Sequence, residues 1–398
     1  MKAAIMGYGT IGSGVAEVLR VNRDVIAKRV GEPIDVKYIL DLREFPGDPE
    51  AGKFVNDVNV IVNDPEVKLV VETMGGVHPA YEFVRANLEA GKSVTTSNKA
   101  LVADMGAELI KVARENQVNF MFEASVGGGI PIIRILQTCL TGDVVEEITG
   151  IVNGTTNYMM TEMTENGSDF DDVLKDAQSK GFAEKDPTAD IEGYDASRKI
   201  AILTSIVAGQ TVDYQDIPTE GITHIDSQDI RYASKMGRKI KLLARMVKTG
   251  DTYCCRVAPY LLPSEHPLYP VDGVFNAVFV KCNMLGDSMY YGSGAGKLPT
   301  ASAVVGDVVA MAKHEKRHIF VDWKDEKLEL SDPSEQTNRY FVRANKGPGD
   351  VVHIFPDAKI IPAGVDNETG FVTSLLSEKE MKEKAELLGK VFKIIRFA

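Results

Sequence analysis

With 398 residues, 44% hydrophobic and 26% charged, the chain has room for two or three domains and ample core. A formal net charge of -12 without a long basic block argues against nucleic acid as a partner. No apolar run approaches the ~18 residues of a membrane span, the N-terminus lacks a basic segment plus an apolar core, and the cysteines (Cys139, Cys254, Cys255, Cys282) form no C-x-x-C pair, so a reducing cytoplasm is expected.

Lys2 to Met6 reads as a short buried strand, and Gly7-Tyr-Gly-Thr-Ile-Gly12 opens a helix carrying Val15, Val18, Leu19 and Val25 on one side. In this G-x-G-x-x-G order Gly7 permits the tight turn, Gly9 lets backbone approach a pyrophosphate, and Gly12 allows close helix packing. The helix start, with Thr10 and Ile11, offers amides and a positive dipole end to an anion. A second strand, Ile34 to Leu40, leads to Asp41, placed to hold a ribose, and to Arg43, placed to accommodate a 2′-phosphate. The pair leaves NAD against NADP open.

Strand and helix then alternate: Val67 to Val71, a helix from about His78 to Ala90, Ser93 to Thr96, a helix from about Leu101 to Asn116, and Val118 to Phe122. The pattern is α/β, a doubly wound parallel sheet of Rossmann type. Thr73, Asn98, Lys99 and Glu123 fall at the carboxyl ends of its strands, where such sheets bind ligands, and Lys99 points at the crevice.

Pro131 to Leu140 reads as an apolar helix and Val144 to Val152 as a strand, followed by the polar turn Asn153-Gly-Thr-Thr-Asn157 that caps the next helix. From about Gly150 the order becomes α+β, with helices near 169–180 and 194–208 and strands near 239–247, 253–260 and 274–283. A sheet covered on one face would leave the other for a second copy, so a homodimer or homotetramer is expected.

Between these helices, Glu184, Asp186 and Asp190 sit in a loop broken by Pro187 and Gly193, and Tyr194 starts a helix ending near Gly209. Asp195 and Lys199 lie one turn apart, and Lys199 falls on the apolar stripe with Ile202, Leu203 and Ile206. Two readings stay open, a structural ion pair or an acid/base pair, because desolvation moves an ammonium toward the range useful for proton transfer.

Tyr290 to Gly296 is a second glycine-rich turn, leading into a helix from about Pro299 to His314 that packs back on the first domain. Residues 323–338 read as a polar linker, and the remainder as a small unit: strand 339–343, strand 359–365, strand 370–376, helix 378–388 and strand 391–397. The expected domains are 1–130 with the helix near 299–318, 131–298 for substrate binding and dimerisation, and 338–398.

The glycine turn, Ser-Asn-Lys99-Ala-Leu, Glu123-Ala-Ser-Val-Gly-Gly-Gly-Ile-Pro, Gly-Ile-Val-Asn-Gly-Thr-Thr-Asn-Tyr and the 184–203 stretch together resemble homoserine dehydrogenase, in order over about residues 1 to 320. The resemblance implies NAD- or NADP-dependent interconversion of L-homoserine and L-aspartate 4-semialdehyde in threonine, methionine and isoleucine biosynthesis. It implies that Glu184, Asp190 and Asp195, with Gly181, bind substrate, that Lys199 handles the hydroxyl proton and that Lys99 assists it. Gly7, Gly9, Thr10, Ile11, Gly12, Asp41, Arg43, Thr73, Asn98, Lys99 and Gly296 would serve the cofactor. A sodium-like cation would be held by Glu123 and the carbonyls of Val126, Gly128 and Ile130. The last sixty or so residues resemble an ACT domain of order βαββαβ whose first helix is cut to about one turn, 351–355, so a role in stabilising an assembly is expected over effector sensing.

Two rival classes fit less well. A thioester-forming aldehyde dehydrogenase needs a crevice cysteine, whereas Cys139 lies on an apolar helix. A nucleotide-binding redox sensor has no use for Lys99 or the Asp195/Lys199 pair.

Overall fold

The first strand, Lys2–Met6 (β1), is buried along almost its whole length, as a parallel strand covered on both faces must be. The structure, a computed structural model, describes residues 1–362 and 367–398. Strand β1 sits at the centre of a six-stranded sheet with Asp35–Leu40 (β2), Phe54–Val55 (β3), Val67–Glu72 (β4), Ser93–Thr96 (β5) and Phe120–Met121 (β6), in the order β3-β2-β1-β4-β5-β6. Every pairing in it is parallel. This order reverses direction between β1 and β4, which puts the topological switch point, and the ligand crevice that goes with it, at their carboxyl ends.

The sheet belongs to the first of two units, formed by Met1–Val144, Ala201–Tyr214 and Tyr290–Leu328. The single long first helix expected from the sequence is two, Thr10–Val21 and Arg23–Val30, broken at Asn22. Helix Lys297–Lys313 packs against Thr10–Val21 through Val304, Val308 and Met311, all fully buried. Burial of each such side chain contributes about 1.5–3 kcal/mol. Gly14 makes the approach possible, since a Cβ there would lie 2.9 Å from the Lys297 carbonyl oxygen. The apolar segment 131–140 is helical in two pieces, an α-turn Ile132–Arg134 and a π-helical stretch Ile135–Cys139. Part of the expected polar linker, Lys324–Lys327, is a strand paired in parallel with Gln210–Thr211.

The second unit comprises Val145–Ile200, Gln215–Met289 and Glu329–Ala398. Its framework is a nine-stranded sheet among the described residues. The strand order is 286–293, 275–282, 145–151, 238–249, 252–263, 391–397, 340–344, 369–372 and 359–361. The central hairpin, Arg238–Thr249 with Thr252–Pro263, turns through two residues, with Gly250 at φ +58° as a tight hairpin requires. Two of the longer elements were not read from the sequence: the edge strand Gly286–Ser293, taken there in part as a glycine-rich turn, and helix Ser227–Lys235. That helix starts in a capping box built from two aspartates, Asp226 and Asp229, where a glutamate is the usual third-position signal.

Residues 338–398 do not form a sheet of their own. Tyr340–Ala344, Pro348–Ile354, Lys359–Ile361, Thr369–Val372, Glu378–Leu388 and Val391–Phe397 run βαββαβ, with strands antiparallel in the order fourth, first, third, second, a split-βαβ arrangement. The last strand then pairs in parallel with the central hairpin, Tyr260 opposite Arg396 and Leu261 opposite Phe397, so the tail extends the larger sheet. The short helix is two turns, because Pro348 at its first position is preorganised to start it. The strand expected over 359–365 is seen as Lys359–Ile361; residues 363–365 lie outside the described residues.

Charge fixes the tail as much as strand pairing does. Buried Arg343 donates to Asp226 at 2.6 Å, to fully buried Asp229 at 2.7 Å and to Glu368 at 3.1–3.2 Å, and Lys393 donates to the His224 carbonyl. Burial pushes the Asp229 carboxyl up from its ordinary value, against the pull of Arg343. Arg343→Met would leave that carboxyl only the Lys393 ammonium, 3.9 Å away, and a loss of about 3–5 kcal/mol is expected in urea denaturation at pH 7. A loss below about 1 kcal/mol, typical of exposed pairs, would show that Arg343 is not the bolt described.

Candidate functional site

The turn after β1 is shaped by three glycines with different duties. Gly7 has φ +93°, and a Cβ there would strike the Thr73 carbonyl group at 2.9 Å; at Gly12 it would lie 2.0 Å from the Gly7 oxygen. Gly9 faces open space within 4 Å, and helix Thr10–Val21 begins there with no side chain capping its amides. A pyrophosphate fits this arrangement, since uncapped amides and the helix dipole both favour an anion. Thr73 supports the turn from behind, its N–H donating to the Met6 carbonyl at 2.8 Å and its hydroxyl to that of Gly7 at 2.8 Å.

Asp41 follows β2 and is already fully engaged. One oxygen accepts from the Tyr8 and Arg43 side of the turn (Tyr8 N–H at 2.8 Å, Arg43 Nη2 at 2.8 Å), the other from the Arg43 N–H and Nε at 3.0 Å each. The Arg43 guanidinium holds this carboxyl well below the usual carboxylate range. Arg43 itself is exposed, with its guanidinium 5.2 Å from the centre of the Phe45 ring.

At the ends of β4 and β5 the sequence missed the main organiser. Glu72 is fully buried and accepts from the Met74 N–H at 2.6 Å, the Gly75 N–H at 3.4 Å and the Thr96 hydroxyl, tying the 73–76 loop to β5. Burial raises its pKa. Asn98 caps helix Lys99–Glu115 by accepting from the Leu101 N–H at 3.1 Å, and its amide donates to the Gly76 carbonyl, so both its ends are committed to structure. Lys99, half-buried, is the first residue of that helix, and Gly296, at φ +111°, precedes helix Lys297–Lys313.

Glu123 follows β6 and is buried. Its two oxygens accept from the Ile133 and Arg134 N–H groups at 2.8 and 2.9 Å, at the start of the 132–139 helical segment. Burial, then the nearby charge of Asp307, pushes its pKa up to about 7. Arg134 lies between the acids, 2.6 Å from Asp307 and 3.8 Å from Glu123. In the adjoining loop Gly128 has φ +57°, and a Cβ would fall 2.2 Å from the Gly294 oxygen. The Ile130 carbonyl accepts from the Ile132 N–H at 2.9 Å, whereas no backbone hydrogen bond among the described residues ends on the carbonyls of Val126 or Gly128. No group of three or more His, Cys, Asp or Glu able to hold a metal occurs among the described residues. Carbonyl oxygens with one carboxylate nevertheless make a donor set suited to a hard monovalent cation.

In the second unit the side chains of 153–199 converge on one amide. Asn153 caps helix Gly154–Asn166 with its oxygen, accepting from the Thr156 N–H at 2.9 Å, while its nitrogen donates to Asp190 at 2.7 Å and to Asp195 at 2.9 Å. Lys199 Nζ donates to the same Asp195 oxygen at 2.7 Å and to the Val152 carbonyl at 2.7 Å. Lys199 and Asp195 are buried and Asp190 half-buried, as the apolar stripe of the helix requires of Lys199. The sequence reading named Asp190, Asp195 and Lys199 but took Asn153 only as a cap. Its position, an amide directly after a buried strand and before a helix, was the available signal.

Two expected substrate residues stand apart from this cluster. Gly181 has φ +73° and follows the C-cap of helix Phe170–Ser179, donating to the Gln178 carbonyl at 3.1 Å, so its glycine is explained by ending the helix. Glu184 is exposed, and its backbone carbonyl, not its carboxylate, receives the Gln178 amide at 3.1 Å. Cys139 ends the π-helical stretch Ile135–Cys139 and is exposed; it does not follow a strand of the parallel sheet, where the thioester reading needs its cysteine.

Sequence profiles match two successive stretches of the chain. The profile of the homoserine dehydrogenase NAD-binding domain matches residues 7–123, and that of homoserine dehydrogenase matches residues 131–309. Homoserine dehydrogenase of Neisseria gonorrhoeae is 41% identical over 363 residues, 88% of this chain and 83% of that protein. The crystal structure of a homoserine dehydrogenase from Thiobacillus denitrificans superposes with a TM-score of 0.92 at 35% identity, covering all of this chain and 98% of that one. A hyperthermophilic archaeal homoserine dehydrogenase solved in complex with NADPH superposes with a TM-score of 0.67 at 28% identity, over 78% of this chain and 97% of that one. No described helix is long and apolar enough to cross a membrane. With the parallel dinucleotide-type sheet, its glycine turn and the buried Asp195/Lys199 cluster in place, the chain belongs to the homoserine dehydrogenase family and is an oxidoreductase with an NAD-binding domain.

Proposed function

We propose that Lys199 is the residue that takes the hydroxyl proton when L-homoserine is oxidised to L-aspartate 4-semialdehyde and returns it in reduction. The dinucleotide, when bound, supplies the hydride acceptor and donor. As the carbinol hydrogen leaves with its electron pair, the O–H proton passes to the Lys199 amine and the carbonyl forms. A lysine poised on the reacting oxygen also stabilises negative charge that develops there. The observation that carries this reading is the placement of a buried Nζ 2.7 Å from both Asp195 and the Val152 carbonyl, which fixes a nitrogen that accepts the proton as the neutral amine and returns it as the ammonium. Asp195 orients the lysine and, with Asp190 and Glu184, is assigned to substrate binding, and Lys99 is assigned to assisting the transfer.

For the cofactor, Gly7, Gly9, Thr10, Ile11 and Gly12 would hold the pyrophosphate and Asp41 the adenosine ribose, with NAD used at least as well as NADP. A carboxylate at this edge repels a 2′-phosphate unless Arg43 turns from Asp41 to meet it. The archaeal relative was solved in complex with NADPH, which supports the phosphorylated dinucleotide being open to the fold. For the cation, Glu123 and the carbonyls of Val126, Gly128 and Ile130 would bind sodium, whose charge would hold the buried carboxylate ionised. An assembly of two or four copies is supported by exposed apolar side chains at the edge of the larger sheet, Phe275, Met284, Leu285 and Met289. The βαββαβ tail is read as an ACT-like module that stabilises that assembly.

Lys199→Ala is expected to lower kcat by about 10²- to 10⁴-fold with dinucleotide affinity nearly unchanged; retention of more than about a tenth of kcat would remove the assignment. Asp41→Ala should raise the NADP/NAD ratio of kcat/KM, and a fixed or lower ratio would mean that Asp41 does not read the ribose. At constant ionic strength, replacing potassium or a bulky organic cation by sodium should raise the melting temperature of the unaltered protein. Glu123→Gln should lose that sodium response; an identical response in both proteins would exclude Glu123 as a ligand.

A further inference from the structure

Outside the described cluster, the second unit holds two buried arginines and a buried glutamate joined to an exposed glutamate, Glu220. Arg396 reaches Glu220 at 2.8 Å and Glu378 at 3.1 Å, while Arg256 reaches Glu378 at 2.6 Å and Glu220 at 3.3 Å. Both arginines and Glu378 are buried. Two buried guanidinium groups need two carboxylates nearby, and Glu378 is only one, so the pair holds Glu220 in place.

Glu220 belongs to an extended stretch that lies on the substrate loop. Its N–H donates to the Val257 carbonyl at 2.8 Å, and the Ile222 N–H donates to the Ile191 carbonyl at 2.8 Å. Gly221 allows the contact, since a Cβ there would be 2.2 Å from the Ile191 oxygen and 2.5 Å from the Glu192 Cα. Thr219 also lies close to Gly193, where a Cβ would meet its Cγ2 at 3.0 Å. Asp190 immediately precedes Ile191, and Asp195 follows Gly193 by two residues. The backbone that carries both carboxylates to Asn153 is thus clamped by the stretch that Glu220 anchors.

We propose that Glu220 is a positioning residue for homoserine: Arg396 and Arg256 fix its carboxylate, and residues 219–222 in turn set Asp190 and Asp195 around Asn153. The proposal rests on the assignment of Asp190 and Asp195 to the substrate site. It also gives the C-terminal tail, which supplies Arg396 and Glu378, a direct hold on homoserine binding without any effector.

The test compares steady-state kinetics of the full chain and its Glu220→Ala variant, with homoserine and dinucleotide varied in turn. A displaced binding loop should raise the homoserine KM by about tenfold and leave the dinucleotide KM within about twofold. Because the residues act as one network, Glu220→Ala combined with Arg396→Met should raise it no further than the larger single change. A folded variant with an unchanged homoserine KM, or with both KM values raised alike, would overturn the proposal. If Glu220→Ala does not fold, Glu220→Asp, which keeps the charge but withdraws it by one methylene, takes its place with the same readings. Asp190→Asn run alongside separates the levels. A raised homoserine KM there with an unchanged one in Glu220→Ala removes the positioning role alone. An unchanged KM in Asp190→Asn removes the substrate assignment, and with it the route from Glu220.

Discussion

The Lys199 ammonium lies buried on the apolar side of its helix, and an isolated charge in such a place would cost several kcal/mol. It is tolerated because the Asp195 carboxylate and the Val152 carbonyl both meet it at 2.7 Å, and because Asn153 holds Asp195 from the other side. Each of these groups has a structural duty as well. Val152 ends a buried stretch that continues the strand Val145–Ile151, and Asn153 caps the helix that begins at Gly154. The cluster is therefore placed by the same hydrogen bonds that terminate one element and start the next, which is why so polar a group can be rigid.

Rigidity is extended outward by charge rather than by apolar packing alone. The tail's Arg343 satisfies Asp226 and Asp229, the two aspartates that cap helix Ser227–Lys235, and its Arg396 meets Glu220 a few residues earlier. Buried ionic groups of this kind add little net stability compared with apolar substitutes, but a wrong register leaves a charge stranded. They suit a segment, 219–229, whose exact placement matters more than its strength. Pairing of Val391–Phe397 with the central hairpin supplies the remaining, less selective hold.

The dinucleotide-binding unit solves a different problem, bringing backbone close to an anion. Gly7 and Gly12 have no room for a side chain, whereas Gly9 does, and that difference separates glycines required by the fold from one left for a ligand. Behind the turn, Thr73 and fully buried Glu72 hold its wall by hydrogen bonds to main-chain groups. Asp41 is held by Tyr8 and Arg43 together, so the turn after β2 ends in a preformed ion pair.

Much was legible before any coordinates. Local signals are strongest where one period or one residue type decides the outcome, so the strand-glycines-helix opening, the alternation that makes the first sheet parallel, and the helical stripe that buries Lys199 all followed from the sequence. Asp190, Asp195 and Lys199 were legible as well, because they share a short stretch with their spacing. The tertiary structure alone decided what depends on distant partners. Asn153 joins Asp190 across 37 residues, Gly181 proved to be a helix terminator, Glu184 lay outside the bonded cluster, and the tail joined the larger sheet instead of closing on itself. Glu220 carries no local mark at all: an exposed glutamate in an extended segment becomes significant only when Arg256 and Arg396, 36 and 176 residues away, are brought to it. Sequence periodicity reports which face of an element is apolar, and only the folded chain determines which charges meet once those faces are buried.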